Sequence, residues 1–194
     1  MKVFLAAATA AAALGVAAPV LAQTDAPSTD GVYGNLGWSG TSIGDTMTQS
    51  ITGRAGARFH QYFGVEGELT AGVNGDHYTY APGATNQTDV GVKQKLAGAA
   101  YVVGFLPVTP HLDILARIGY GGSKYSVNPN GGTKYDVNEN GIRYGVGAQY
   151  FVGGGNGLRV DYTREHLNDF TDASGFFPAG DEASVWSVSL VHKF

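Results

Sequence analysis

The sequence predicts an all-β fold, an eight-stranded antiparallel up-and-down barrel that follows a cleavable signal peptide. Three observations lead to this prediction. Segments with a period of two residues recur along the chain, and short connections between them alternate with long ones. In addition, ten charged residues of these segments fall on the face opposite the apolar residues. Together the three observations indicate a closed sheet with one apolar and one polar surface.

The N-terminal segment, residues 1–22, is typical of an export signal. The positive charge of Lys2 precedes a run of small apolar residues, mostly alanine, over residues 3–18. Residues 19–22 (PVLA) match a signal-peptidase site, which predicts cleavage before Gln23 and one domain over residues 23–194. A membrane anchor is disfavoured, because the run is shorter and less apolar than the ~20 residues of a spanning helix.

Eight segments of the mature chain alternate apolar and polar residues, and none of the chain between them shows a convincing helical period. In the third segment, for example, Phe63, Val65 and Leu69 alternate with Glu66 and Glu68. This alternation is typical of strands with two different surroundings on their two faces. The predicted strands span residues 32–40, 50–59, 63–73, 92–104, 112–122, 141–151, 157–164 and 184–194.

The lengths of the connections alternate strictly along the chain. The short connections are residues 60–62, 105–111 and 152–156. The long, polar ones are residues 74–91, 123–140 and 165–183, with residues 41–49 as a shorter member of the same set. Short periplasmic turns and longer external loops are typical of a transmembrane barrel, whereas a soluble sandwich has no reason to sort its connections in this way.

Ten charged residues of the predicted strands share the face opposite the apolar set. An Arg or Lys on a lipid-facing surface costs about 2–4 kcal/mol near the midplane, so many such residues would exceed a typical domain stability of about 5–15 kcal/mol. The apolar face must therefore lie outside, in lipid, and the charges inside. The predicted inward charges are Arg54, Arg58, Glu66, Glu68, Lys95, Asp113, Arg117, Arg143, Arg159 and Asp161. A water-soluble barrel would show the inverse arrangement.

The interior of an eight-stranded barrel is about wide enough to be filled by side chains. Inward glycines leave room for the long arginines beside them; they are Gly56, Gly64, Gly119, Gly145 and Gly147. Because unpaired buried charge is costly, we expect the inward bases and acids to form a paired, hydrogen-bonded plug. The sequence therefore predicts a packed lumen.

Aromatic residues gather at both ends of the predicted strands, as in the two girdles where rings meet lipid headgroups. Those at the short-turn end are Phe59, Tyr62, Phe63, Phe105, Tyr150, Phe151 and Phe194. Those toward the long-loop end are Trp38, Tyr120, Tyr162 and Trp186.

Three stretches carry a resemblance to a known family: residues 53–59 (GRAGARF), residues 62–68 (YFGVEGE) and the closing residues 187–194 (SVSLVHKF). The mature chain resembles the OmpA-type and opacity-type small outer-membrane β-barrels. The resemblance implies a bacterial outer-membrane location, contact with outer-membrane lipid and lipopolysaccharide, and insertion by the barrel-assembly machinery. Phe194, Leu190, Val188 and Trp186 match the family's terminal assembly signal, whereas His192 stands where an apolar or aromatic residue is commoner.

Composition and motifs predict no cofactor or metal. The chain has no cysteine, which excludes disulfides and Cys-based metal or redox sites, and its net charge of −4 gives no electrostatic basis for nucleic-acid binding. Residues 136–141 imitate the start of a calcium loop, but Gly147 stands where a bidentate Glu is needed. The five histidines show no ligand spacing.

These observations favour a structural, surface-exposed barrel that is monomeric and not an enzyme. One alternative is a narrow or gated solute channel, whose gate would consist of Arg54, Glu66, Lys95, Arg117, Arg143 and Arg159. Another is a lipid-modifying enzyme. His166 shares one predicted loop with Asp169, Asp172 and Ser174, but no outward Ser–His pair on neighbouring strands is evident from the sequence.

Overall fold

The computed structural model describes residues 31–43, 46–80, 88–129, 134–168 and 182–194; the predicted signal peptide lies outside them. The described residues form nine strands. These are β1 (Gly31–Ile43), β2 (Thr46–His60), β3 (Phe63–Asn74), β4 (Asp76–Tyr80), β5 (Thr88–Pro107), β6 (Leu112–Pro129), β7 (Tyr135–Gly153), β8 (Asn156–Asn168) and β9 (Glu182–Lys193). In the described part of the chain, no helix is long and apolar enough to cross a membrane.

The strands close into a single antiparallel barrel. Consecutive strands pair with each other except β3 and β4, β1 pairs with β9, and β3 pairs with β5. The short strand β4 follows β3 after Gly75 and pairs with the far end of β5, so the two strands share one position in the wall. A Cβ on Gly75 would lie 2.5 Å from the carbonyl oxygen of Val92. The wall therefore has eight strand positions, which confirms the predicted up-and-down barrel.

All eight predicted strands are present, and most extend further toward the long-loop end than predicted. β6 continues to Pro129 and β7 begins at Tyr135, although residues 123–140 were expected to form a loop. The predicted connection at residues 41–49 is also wrong in length, because β1 ends at Ile43 and β2 begins at Thr46. Above the lipid the outer face of a strand meets water, so polar side chains replace the outward apolar residues while the hydrogen-bonded ladder continues.

The turns at the opposite end are short, as predicted. The β2–β3 turn consists of residues 61–62, and residues 108–111 join β5 to β6. In the β7–β8 turn, Gly154 and Gly155 adopt φ values of 57° and 76°. Glycine enters this left-handed region without the steric cost of a Cβ, which accounts for the run of three glycines in this turn.

The two faces of the wall divide as predicted. Large apolar side chains cover the outer surface, and several are more than half exposed, among them Leu36, Ile118, Val146 and Leu190. Charged and hydroxyl side chains fill the interior. Because such an outer surface is suited to hydrocarbon and not to water, the architecture is that of a membrane-spanning barrel.

The exposed aromatic side chains form two bands. The outer girdle, toward the long-loop end, consists of Trp38, Tyr120, Tyr144, Tyr162 and Trp186. The inner girdle, at the short-turn end, consists of Phe59, Tyr62, Phe63, Tyr150 and Phe194. Within the outer girdle, Tyr162 and Trp186 are direct cross-strand partners. The strand segments between the two girdles are the membrane-spanning segments.

Phe105 and Phe151, predicted for the short-turn girdle, are buried inside the barrel instead. With Tyr33, Ala99, Tyr101, Val103, Leu115 and Val191 they form an apolar cluster across the short-turn end of the lumen. Phe105 has the same strand parity as Val103 and Tyr101, and its ring meets that of Tyr33 edge-on at 6.2 Å. The apolar rings are tolerated inside because neighbouring side chains fill the lumen at this end.

Candidate functional site in the barrel lumen

Nine of the ten predicted inward charges are buried in the lumen. They are Arg54, Arg58, Glu66, Glu68, Asp113, Arg117, Arg143, Arg159 and Asp161. Side chains of Arg, Asp and Glu are rarely fully buried unless they are paired. Their partners therefore decide what the lumen can do.

Lys95 is the exception, and its predicted lumen position is wrong. The β5–β6 register shifts between Gln94 and Leu96, so Lys95 occupies a β-bulge and projects from the outer surface. A bulge places one extra residue in a strand and re-aims its side chain. The ammonium of Lys95 lies 2.7 Å from Asp136 Oδ1, and hydrogen bonds from Lys95 and Lys124 lower the pKa of this exposed carboxyl.

Glu66 is the centre of the network in the middle of the lumen. Its carboxylate accepts hydrogen bonds from Arg159 Nη1 at 2.6 Å and from Arg159 Nη2 at 3.2 Å. Arg117 Nη1 lies 3.2 Å from the same group, and the hydroxyl of Tyr33 donates to it at 3.0 Å. Charge-assisted hydrogen bonds of this kind are roughly twice as strong as neutral ones.

Arg54 connects two further carboxylates to this centre. Its Nε lies 2.6 Å from Glu68 Oε2, and its Nη1 lies 3.1 Å from Asp161 Oδ2. Asp161 also accepts a hydrogen bond from Arg159 Nε at 3.0 Å. The middle layer, defined as Arg54, Arg117 and Arg159 with Glu66, Glu68 and Asp161, thus contains three guanidinium groups and three carboxylates.

Two of the predicted inward glycines provide space for this layer. A Cβ at Gly56 would lie 2.4 Å from Cζ of Tyr33, and a Cβ at Gly147 would lie 2.6 Å from Oδ1 of Asp161. Both distances are shorter than any real Cβ contact. Any other residue at these positions would displace a side chain that belongs to the network or donates to it.

The short-turn end of the lumen has an excess of positive charge. Arg58 Nη1 lies 3.0 Å from Asp113 Oδ2, and Gln149 Nε2 donates to the same oxygen at 2.8 Å. Lys193 is partly buried nearby, with its ammonium 4.1 Å from the centre of the Phe151 ring. This inner layer has two cations and one carboxylate.

The long-loop end of the lumen contains two acids that the sequence analysis missed, Glu139 and Glu165. Both are buried, and they line a recess with Arg143 and Ser123. Arg143 Nη1 lies 3.3 Å from Glu165 Oε1 and 3.6 Å from Glu68 Oε1, and Arg143 Nη2 donates to Ser123 Oγ at 2.8 Å. Both acids lie in segments that were predicted to be loops. The outer layer therefore has two carboxylates and one guanidinium.

Glu139 has no hydrogen-bond partner for either carboxylate oxygen among the described residues. It lies five residues beyond Tyr144 on β7, outside the membrane-spanning segment. Burial and the nearby charge of Glu165 raise the pKa of Glu139 to about 8, against the opposing effect of Arg143. The carboxyl is therefore predominantly protonated in neutral solution.

Replacement of Glu139 by Gln should make the barrel less sensitive to pH. Because the pKa of Glu139 is raised on folding, the folded protein loses stability as pH rises from about 4.5 to about 8. We expect Glu139→Gln to exceed the wild type in unfolding free energy by about 1–3 kcal/mol above pH 8 and to lose this advantage at pH 5. Urea unfolding of the folded barrel at both pH values measures the difference; an equal difference at both would contradict the assignment.

The residues of the predicted assembly signal lie on β9 or directly after it. Trp186, Val188, Leu190 and Phe194 are exposed on the outer surface, and the ring of His192 packs edge-on against that of Phe194 at 4.8 Å. Their role in assembly stays a prediction. Among the described residues, no group of three or more His, Cys, Asp or Glu side chains could hold a metal ion.

The groups proposed for catalysis are not assembled in the described part of the chain. Asp169, Asp172 and Ser174 lie outside the described residues. His166 is exposed on β8, and Ser184 lies on the neighbouring strand β9 opposite Arg164, two residue pairs away from His166. The hydroxyl of Ser184 is 3.0 Å from that of Tyr162, whereas Glu182 pairs with Arg164. The structure thus brings a Ser and a His to neighbouring strands without a hydrogen bond between them.

Comparison with known proteins gives one family and a set of similar folds. A family model described as outer membrane protein beta-barrel domain matches residues 8–194. No sequence among the curated proteins matches the chain.

Solved structures with the same fold come from several bacteria. The Ail attachment invasion locus protein of Yersinia pestis, solved with a heparin analogue, has a TM-score of 0.55 at 13% identity, over 85% of this chain and 99% of that chain. Neisserial surface protein A has a TM-score of 0.55 at 15% identity, over 86% and 98%. The N-terminal barrel domain of Pseudomonas aeruginosa OprF has a TM-score of 0.52 at 9% identity, over 84% and 98%. At these identities the likeness shows the fold.

Proposed function

Because the chain belongs to the outer membrane protein β-barrel domain family and is located in the bacterial outer membrane, we propose that it is a structural, surface-exposed barrel with a non-conducting lumen. The observation that carries this proposal is the packing of the interior. An apolar cluster crosses the short-turn end, and paired charges fill the middle layer. The short turns then face the periplasm and the long loops face outward.

The paired charges of the middle layer support a closed lumen. Arg159 and Glu66 are almost completely buried, and each of their charged groups is hydrogen-bonded to a partner within the barrel. Passage of a hydrated solute would require these groups to separate and part of their charge to remain uncompensated. Separation of buried ion pairs costs several kcal/mol, which opposes spontaneous opening.

The same contacts argue against the alternative function, a solute channel with a gate of charged side chains. Lys95 lies outside the lumen, and the other five members are bound in ion pairs.

The predicted absence of enzymatic activity is part of the same proposal. It is supported by the lack of a hydrogen bond between Ser184 and His166, and by a family and solved neighbours described as outer-membrane barrels and surface proteins.

The remaining partners are proposed from the same family membership. Outer-membrane lipid, including lipopolysaccharide, would contact the apolar outer surface between the girdles. The barrel-assembly machinery would recognise the terminal strand β9 through Phe194 and the outward residues before it. The chain would act as a monomer, since the barrel closes on itself and every strand of its membrane-spanning wall pairs on both sides.

Electrical recording in planar lipid bilayers tests the closed lumen. We expect the purified barrel to show no discrete conductance steps above the background of protein-free bilayers, because buried, paired side chains fill the middle layer. A general porin reconstituted in the same bilayers serves as the positive control. Reproducible steps from the folded barrel, absent from a heat-denatured sample, would contradict the proposal.

A further inference from the structure

The basic residues of the barrel are divided by type between its two surfaces. Five arginines are buried in the lumen. Apart from Lys193, the lysines of the described residues lie on the outside of the adjacent strands β5 and β6 or directly before β7. They are Lys93, Lys95, Lys124 and Lys134. A flexible, strongly hydrated ammonium is suited to an aqueous interface, whereas the planar guanidinium is suited to fixed buried pairs.

Three of these lysines form a cluster with one acid. The lysine cluster is defined as Lys93, Lys95, Lys124 and Asp136. The ammonium groups of Lys95 and Lys124 lie 2.7 Å and 3.1 Å from the two oxygens of the same Asp136 carboxylate. One carboxylate thus holds two ammonium groups close together, which leaves a net positive charge. Lys93 stands in the same row of cross-strand partners as Asp136, with Ser126 between them. Its side chains remain about one-third to two-fifths exposed where the ion pairs are formed.

The cluster lies just beyond the lipid-facing surface. Lys124 is four residues beyond Tyr120 of the outer girdle on the same strand, β6. Four residues of a strand tilted by about 40° rise roughly 10 Å above the girdle. This is the headgroup region of the outer leaflet, so lipid headgroups are the neighbours that the geometry places beside the cluster.

The positive charge is confined to one sector of the barrel. The outward positions of β1, β2, β3 and β9 carry no Lys or Arg among the described residues. Arg164 on β8 is exposed, but Glu182 neutralises it in a one-to-one pair. The β-bulge at residue 95 adds to the asymmetry, since a regular strand would have directed this lysine into the lumen.

We propose that the lysine cluster binds the phosphate groups of anionic lipid in the outer leaflet. Two ammonium groups held by one carboxylate present a site for a phosphate that accepts hydrogen bonds from both. The inference rests on the proposed function for the orientation of the barrel, with the long loops outward. It extends that function by assigning the lipid contact to one sector and one headgroup chemistry.

The test measures binding of lipid A to the mature barrel in detergent micelles, by native mass spectrometry in buffer free of divalent cations. The two probes are bisphosphorylated lipid A and the same lipid with both phosphates removed. We expect the wild type to prefer the bisphosphorylated form, and the double variant Lys95→Gln and Lys124→Gln to bind it about tenfold more weakly. The preference should also weaken as salt is raised.

The matched control compares two single variants that each remove one exposed positive charge. Lys124→Gln is expected to weaken binding severalfold, whereas Arg164→Gln, on a neighbouring sector, should change it less than twofold. Equal losses in both variants, or an unchanged affinity in the double variant, would overturn the proposal. So would displacement of the lipid by inorganic phosphate or by a soluble sulfated glycan at matched concentration, since either would identify a site for anions in solution.

Folding is checked in the same samples. Each variant is expected to keep the wild-type shift in gel migration between unheated and heated samples, because the substituted side chains are exposed. This shift reports the closed barrel and not the cluster. A loss of lipid preference with the shift intact therefore supports the cluster, whereas an absent shift in the wild type would contradict the barrel itself.

Discussion

The variant Ala116→Arg is expected to prevent assembly of the barrel into membranes. Ala116 is exposed on the outer face of β6, halfway between Leu112, which pairs with Tyr150 of the inner girdle, and Tyr120 of the outer girdle. An arginine at this depth costs about 2–4 kcal/mol on the lipid face, and its guanidinium has the longest path to either interface. The folded fraction after insertion into vesicles, measured as heat-modifiable gel migration, should fall severalfold or more.

Two control variants test whether the effect comes from the depth of the charge in the membrane, from the size of the new side chain, or from an added charge at any position. Ala116→Leu enlarges the same side chain without charge and is expected to fold like the wild type. Val108→Arg places the same charge on the same hairpin, but in the exposed turn at residues 108–111, and should also fold normally. If Ala116→Arg and Val108→Arg assembled equally well, the assignment of the apolar face to lipid would be wrong.

The variant Glu66→Gln is expected to cause the largest loss of stability among substitutions in the lumen. It keeps the size of the side chain but removes the charge that compensates Arg159 and, in part, Arg117. Removal of one partner of a buried ion pair costs about 3–5 kcal/mol, because the remaining charge has no access to water. Urea unfolding of the folded barrel should show this loss as a shift of the midpoint to lower denaturant.

The matched control is Glu182→Gln, which removes the same charge from the exposed pair with Arg164. Surface pairs contribute about 0–1 kcal/mol, so this variant should unfold close to the wild type. Similar losses in both variants would mean that the lumen is hydrated and not packed. A double variant that also replaces Arg159 by Met should recover part of the loss, because it removes one of the charges left uncompensated.

The strands and their faces could be predicted from the sequence because the alternation is local. Side chains at successive positions of a strand point to opposite faces, so Phe63, Val65 and Leu69 are sorted from Glu66 and Glu68 wherever the strand lies. The same reasoning failed at Lys95, where one extra residue changes the parity. A bulge depends on the register between β5 and β6, and register is a property of two strands and not of one.

The ends of the strands show a second limit of prediction from the sequence. Glu139 and Glu165 face the lumen from strand extensions that lie above the lipid, where the outer face of the wall meets water. Their sequence therefore lacks the apolar alternation by which the other strands were recognised. At Phe105 and Phe151 the local pattern was sufficient but was overruled. Their strand parity indicated the interior, whereas their position near the short turns led to the wrong prediction of a girdle.

The amino-acid sequence by itself determined the class of fold, the number of strand positions in the wall and the surface that faces lipid, because each follows from a period of two residues. Only the tertiary structure decided which charges are paired and which remain without a partner. Arg159 and Glu66 are 93 positions apart and meet because the barrel closes and its strands tilt. That closure also leaves an excess of positive charge at one end of the lumen and an excess of carboxyl groups at the other.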